Sequence, residues 1–224
     1  MNGGGASLWL APPLSPSLTR GEVHLWRFPL TTSMPELAAL QSLLAADEAQ
    51  RAVRLLDPHK AQAFIVGRGR LRQILGAYLQ CDPAALDFAY NRNGKPALAG
   101  KSLHFNLAHS GAWAVLALAA DVELGVDIEM IDPLLDHERL AAQYFSDAER
   151  AALATVAMPR RRRVFYRLWT RKEALLKGQG RGFTASAVVE ERVWQLRSFW
   201  LAPGYVAAIA CAGGIEALRR WQVG

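Results

Sequence analysis

Two rhythms of apolar and polar positions run along this chain. Val23-His24-Leu25-Trp26-Arg27-Phe28 alternates with a period of two, which predicts a strand. Residues 36–56 and 59–80 instead carry helical periodicity, with Phe64, Leu71, Ile74, Leu75 and Tyr78 on one apolar stripe of the second. Phe88-Ala89-Tyr90 then runs into Asn91-Arg92-Asn93-Gly94-Lys95-Pro96, where Asn-Gly signals a turn and Pro96 keeps the exit extended. His104–Leu107 and Trp113–Ala119 read as short strands joined at Gly111. Next, Val122, Leu124, Val126 and Ile128 alternate with Glu123, Gly125, Asp127 and Glu129, which predicts a strand with one apolar and one acidic face. Residues 147–177 read as mainly helical with an interruption near Pro159, and Ser146 followed by Glu149 forms a capping-box pattern. Between Val188 and Trp200 neither period dominates, although Val188, Val189, Val193 and Trp194 point to strands. Tyr205–Ala212 is a clearer strand.

The order of these elements repeats. Gly111, Ala114, Leu116, Ala117, Ala119 and Glu123 recur as Gly204, Ala207, Ile209, Ala210, Ala212 and Glu216, each 93 positions further on. The expected fold is therefore α+β, with two similar subdomains that each place a helix before a strand hairpin. Residues 1–20, with Gly3-Gly4-Gly5 and a Pro/Ser-rich stretch, are expected to form a loose arm. The subdomains are expected over 21–121 and 122–224. A site between them is a natural expectation, because clefts favour domain interfaces.

Composition narrows the chemistry only a little. A chain of 224 residues that is 51% hydrophobic has the material for a buried core. A formal net charge of +6 favours acidic partners: nucleic acid, anionic membrane, phosphorylated ligands or an acidic protein. Cys81 and Cys211 lack metal-ligand spacing and are expected to be reduced core thiols, which points to the cytoplasm. No apolar run long enough to span a membrane is expected, since Pro12, Pro13 and Pro16 break the N-terminal one.

Two stretches carry candidate chemistry. Asp127 and Glu129, two apart on a strand, share one face. Paired carboxylates repel each other unless solvent, a cation or a basic side chain compensates. A hard divalent ion such as magnesium suits such oxygen ligands. Taken alone, Asp-x-Glu equally describes an ordinary solvated strand face. In Trp169-Thr170-Arg171-Lys172-Glu173-Ala174-Leu175-Leu176-Lys177, the residues Trp169, Glu173 and Lys177 share a helical stripe. Glu173 and Lys177 alone would be a surface pair worth about 0.3–0.5 kcal/mol, but Trp169 draws that stripe toward burial. Gly178, Gly180 and Gly182 follow, permitting close backbone approach or a mobile loop.

Together these stretches resemble the 4′-phosphopantetheinyl transferases of the surfactin-synthetase-associated type. That family's signatures are Gly-[Ile/Val]-Asp-x-Glu and Trp-x-x-Lys-Glu-Ala-x-x-Lys; Gly125–Glu129 and Trp169–Lys177 match both in full. Asn93-Gly94-Lys95-Pro96 is similar to its Gly-Lys-Pro turn, and Phe105-Asn106-Leu107-Ala108-His109-Ser110 to its Phe-Asn-[Ile/Leu]-Ser-His-[Ser/Thr] segment. Ala108 departs from the family serine, so a hydroxyl contact to coenzyme A is lost or replaced there. Arg51 and Arg54 fall where the family often has basic residues contacting coenzyme A. Good matching covers residues 91–183.

The resemblance implies two α+β subdomains arranged as a pseudo-dimer, with coenzyme A in the cleft between them, and a monomer as the working form. It implies that a serine of an acyl or peptidyl carrier protein attacks the coenzyme A pyrophosphate, releasing adenosine 3′,5′-bisphosphate. Magnesium would be held by Asp127, Glu129 and Glu173, with Glu173, directly or through water, as the base, a role that a bound water or Glu129 could share, and Lys177 stabilising the leaving phosphate. Arg51, Arg92, Lys95, His109 and Lys177 are candidates for the nucleotide phosphates. His109 is also compatible with a structural histidine, and Arg51 and Arg92 with solvated arginines.

Two other readings compete. Arg160-Arg161-Arg162-Arg163 near Phe165, Tyr166 and Trp169 is compatible with nucleic-acid binding. The aromatics follow the apolar helical period, however, and the basic run also suits docking of an acidic carrier. A different magnesium-dependent phosphate-transfer enzyme would explain the acids but not the paired signatures. The chain also lacks the Gly-x-x-x-x-Gly-Lys-[Ser/Thr] loop of many nucleotide hydrolases. Neither a nucleic acid nor a membrane is the expected partner.

Overall fold

A computed structural model describes residues 8–100, 103–181 and 194–224. The chain opens with strand β1 (Glu22–Pro29) and three helices: α1 (Met34–Gln41), α2 (Ala46–Arg54) and α3 (Pro58–Leu79). A short hairpin follows, β2 (Phe88–Tyr90) and β3 (Pro96–Leu98), then a longer one, β4 (His104–Ser110) and β5 (Trp113–Ala119). Next come β6 (Leu124–Met130), α4 (His137–Tyr144), α5 (Asp147–Ala154) and α6 (Met158–Gly178). The chain finishes with β7 (Trp194–Ala202), β8 (Tyr205–Ala212) and β9 (Ala217–Gln222). The fold is α+β.

The single helix expected over 36–56 is two helices, α1 and α2. The break lets Leu43 and Leu44 turn into the core, and α2 restarts with the Glu48 carboxylate accepting from the Ala45 N–H. That carboxylate is buried and ion-paired to Arg72 and Arg68 of α3, so α2 takes its direction from α3. Asp57 caps α3 by accepting from the N–H groups of His59 and Lys60. The interruption expected near Pro159 falls between α5 and α6, with Pro159 in the first turn of α6. The Ser146–Glu149 capping box starts α5.

Besides the two-stranded β2-β3 sheet, two larger sheets have strand orders β4-β5-β1-β9 and β6-β8-β7. In both, a hairpin places its second strand at the centre and an earlier strand pairs with that centre: β4-β5-β1 in one, β7-β8-β6 in the other. β9, from the last residues of the chain, lies parallel to β1 in the first sheet. The described end of the N-terminal arm joins it there: the Leu10 N–H donates to Arg220 O and Leu10 O accepts from Gln222 N–H. Trp9 lies under the Arg27 guanidinium, 4.7 Å from its ring centroid.

β1 alternates between two buried environments. Trp26 and Phe28 face the helical layer with Leu71, Ile74 and Leu75. Val23 and Leu25 face the second sheet, meeting Val126, Ile128, Ile209 and Cys211. The two sheets thus share an apolar seam, and the buried Asn106 side chain stitches it by accepting the Val126 N–H at 2.8 Å. Cys211 lies in this seam as expected, but Cys81 is exposed. It follows Gln80, whose left-handed conformation ends α3 and turns the chain off the helix's apolar stripe. Among the described residues, no helix is long and apolar enough to cross a membrane.

Candidate active site

The second sheet and α6 meet backbone to backbone. A Cβ on Gly125 would stand closer than 3.0 Å to Ala174 O and Gly178 N, a separation real side chains do not tolerate. Ala174 and Leu175 of α6 pack onto Ala208 and Ala210 of β8, whose small side chains let the helix settle close. The glycine that opens the strand signature therefore fixes where α6 crosses β6. Asp127 and Glu129 follow it on the strand, and Glu173 and Lys177 sit one turn apart on the helix.

The acidic face of β6 is not a solvated one, because α6 covers it. Asp127 is 3% exposed. Its Oδ1 accepts from Lys177 Nζ at 2.5 Å, while its Oδ2 is buried without a hydrogen-bond partner. Glu129 accepts from Ser110 Oγ at 2.9 Å and from the Trp169 side chain. Ser110 Oγ in turn accepts the Met130 N–H at 3.0 Å. Burial, rather than the Lys177 charge, dominates Asp127 and raises its pKa. Burial and then the Asp127 charge raise Glu129. Burial, followed by repulsion from Asp127 and Glu129, raises Glu173 to about 7 against the pull of Lys177. The charges acting on these acids come from one another and from Lys177, so the three carboxylates form one electrostatic unit short of positive charge.

Such a set fits a hard divalent cation: the donors are carboxylate oxygens, and the orphaned Asp127 Oδ2 is a ligand atom without a partner. Among the described residues, no three Asp, Glu, His or Cys groups are already closed around a metal position. The Lys177 ammonium sits against Asp127 instead.

His109 lies on β4 beside this unit, exposed at its tip; the packed surroundings and then the Lys177 charge lower its pKa. Lys95 reaches the same junction from the β2–β3 hairpin. Its ammonium donates to Gly178 O at 3.0 Å, Leu124 O at 3.1 Å and the Glu123 carboxylate at 3.1 Å. It thereby ties the end of α6 to the start of β6. Asn93 donates to Gly180 O and holds the hairpin against the same turn. Arg92 is exposed at the hairpin tip. Arg51 lies on α2 with its guanidinium 5.1 Å above the Phe64 ring, and neither arginine contributes a charge interaction to the three acids. A cleft of about 560 Å³ opens between the hairpin and the end of α6, lined among others by Tyr90, Lys95, Pro96, His104 and Gly180.

Several working residues were not singled out by the sequence. Asn106 and Ser110 lie in the matched β4 segment without an assigned role there; Asn106 joins the sheets, and Ser110 orients Glu129. Lys172, inside the helical signature, is buried and bonds Tyr144 O at 2.7 Å and Glu149 at 2.9 Å, anchoring α4 and α5 to α6.

Comparisons with known proteins point to a single family. Residues 123–206 match the model of the 4′-phosphopantetheinyl transferase superfamily. Residues 30–121 match that of the 4′-phosphopantetheinyl transferase N-terminal region. The chain is 36% identical over 222 residues to the 4′-phosphopantetheinyl transferase HetI of Nostoc sp., covering 92% of this chain and 94% of that one. It is 36% identical over 164 residues to a Synechocystis sp. protein named putative 4′-phosphopantetheinyl transferase, covering 72% and 66%. It is 26% identical over 153 residues to the 4′-phosphopantetheinyl transferase Sfp of Bacillus subtilis, covering 68% and 67%. The chain belongs to the 4′-phosphopantetheinyl transferase family.

Proposed function

We propose that this protein transfers the 4′-phosphopantetheine group of coenzyme A to a serine of an acyl or peptidyl carrier protein, releasing adenosine 3′,5′-bisphosphate, and that it does so at the Asp127–Glu129–Glu173–Lys177 junction. The observation that carries the assignment is the convergence of two distant signatures: Lys177 of α6 bonds Asp127 of β6, and Glu173 feels both strand acids. The family relationship supplies the reaction class.

The chain's own groups divide the work. Asp127, Glu129 and Glu173 would hold magnesium, with Ser110 and Trp169 fixing the orientation of Glu129. When bound, magnesium supplies the positive charge that orients and neutralises the diphosphate. The carrier serine oxygen forms a bond to the phosphorus bearing pantetheine, and the bridging P–O bond breaks toward the adenosine bisphosphate. The serine proton passes to Glu173, directly or through a water; a carboxylate lifted to about 7 suits that task near neutrality. Lys177 stabilises the departing phosphate as a point charge. His109 and Arg92 supply further positive groups for the nucleotide phosphates. Lys95 joins them by exchanging the 55% exposed Glu123 carboxylate for a phosphate oxygen. Arg51 on α2 completes the proposed set.

The two halves are proposed to form a pseudo-dimer, divided after residue 121 and preceded by an arm over residues 1–20. The matching orders β4-β5-β1 and β7-β8-β6 support this relation. A monomer working in the cytoplasm completes the reading. Incubation with coenzyme A, magnesium and a panel of apo-carriers, followed by intact mass measurement, tests it. The expected result is one phosphopantetheine added per acceptor serine, and an unmodified panel would overturn it.

A further inference from the structure

We propose that the groove between α6 and β7 docks the acidic face of the carrier protein. This rests on the transfer reaction assigned above and adds the surface that selects its protein substrate. The groove has a volume of about 280 Å³ and is walled by Arg160, Arg163 and Arg167 on the helix side and Trp200 on the strand side. Trp200 is 46% exposed, and the Arg163 guanidinium stands 5.9 Å from its ring centroid. Among the described residues, no acidic residue lines the groove and none of its three arginines has a carboxylate partner. The contrast with Arg161 is direct: it is spent on Glu138 and on carbonyls at the end of α5. Among the described residues the basic run is thus divided into one arginine spent within the fold and others whose charge is unpaired. Ser198 Oγ, on the same wall, is buried without a hydrogen-bond partner.

The position suits a substrate that must reach the acids. Trp200 pairs with Val206, and Val206 with Glu129, so two strand spacings, about 10 Å, separate the groove wall from the acid strand. Arg163 precedes Glu173 by ten residues, about 15 Å of helix rise. Arg163 and Arg167 are exposed on the back of α6. A small domain lying across that back can offer its serine at the acid junction and its acidic surface to the arginines, with an apolar side chain against Trp200. Unpaired cations on the rim steer an acidic partner and fix its register.

The test uses an apo-acyl carrier protein whose acceptor serine is replaced by alanine, so that binding is read without turnover. Fluorescence anisotropy measures its affinity for the wild type, for the double variant Arg163→Glu/Arg167→Glu, for Arg163→Lys/Arg167→Lys, and for Trp200→Ala. Charge reversal is expected to weaken binding by at least ~10-fold, as two lost charge pairs require, with lysine restoring most of it. Trp200→Ala weakens binding even at high salt. Coenzyme A affinity by calorimetry stays within about twofold, since the groove is not its site. Equal carrier affinity in wild type and the folded charge-reversed protein overturns the proposal. So does loss of single-stranded oligonucleotide binding with carrier affinity untouched. If the wild type binds the carrier through the groove but never labels the serine-bearing form, the transfer reading fails and the docking surface stands.

Discussion

Replacing Glu173 by glutamine separates what this residue does for folding from what it does for chemistry. In the unfolded chain its pKa is near the ordinary 4.5; in the fold it lies at about 7. A raised carboxylate means that the fold prefers the protonated form. Below pH 4.5 the group is protonated in both states and contributes no penalty. Between 4.5 and 7 the unfolded chain ionises first, and above 7 the full cost of holding the anion is present. At about 1.4 kcal/mol per pH unit the ceiling is about 3.5 kcal/mol, and partial exposure reduces it to about 1–2 kcal/mol. Glutamine keeps the shape and removes the charge. In metal-free protein at pH 8, Glu173→Gln should therefore be more stable than wild type by about 1–2 kcal/mol, with the gap nearly closed at pH 5. Urea denaturation at both values, with chelator present, measures it. The same variant should lose at least ~10²-fold in transfer. A variant no more stable than wild type at pH 8 would refute the electrostatic argument, and one that retained transfer would refute the assigned role.

Gly125→Ala puts a methyl group into the backbone of α6 and should cost about 3 kcal/mol or more; an unchanged denaturation midpoint would contradict the crossing described. Asn106→Leu strands the buried Val126 N–H and should cost about 1–3 kcal/mol, read by the same assay. Lys95→Met removes three bonds between the hairpin, β6 and α6; it should lower stability by about 1–3 kcal/mol and weaken coenzyme A binding in calorimetry, and a variant normal in both would remove Lys95 from the site.

Much of the fold was legible because the elements follow local periods. Alternation at Val23–Phe28 and Leu124–Glu129 gave strands in place, and the stripe through Phe64–Tyr78 gave α3. What escaped depends on contacts distant in sequence. The break between α1 and α2 answers to Arg72 of α3. β9, with Arg219 and Arg220 interrupting its apolar positions, is a strand because β1 lies beside it. Val188, Val189, Val193 and Gly182 lie outside the described residues. At the site, the signatures named the acids but not their burial. Whether Asp127 faces water or a helix is decided by Gly125, which the signature named without its spatial reason: its missing side chain lets α6 cross β6. Lys172 and Lys177 look alike in the motif; the first is anchored to α5 and only the second meets the acids.

The central claim is that carboxylates from β6 and α6 jointly hold one divalent ion against the coenzyme A diphosphate. Manganese, substituted for magnesium and followed by electron paramagnetic resonance with coenzyme A present, reads this directly. Wild type should bind one ion, whose paramagnetism also broadens the diphosphate lines in phosphorus NMR, and Asp127→Asn and Glu173→Gln should each weaken that binding by at least ~10-fold. Undiminished manganese binding in either folded variant would contradict the account.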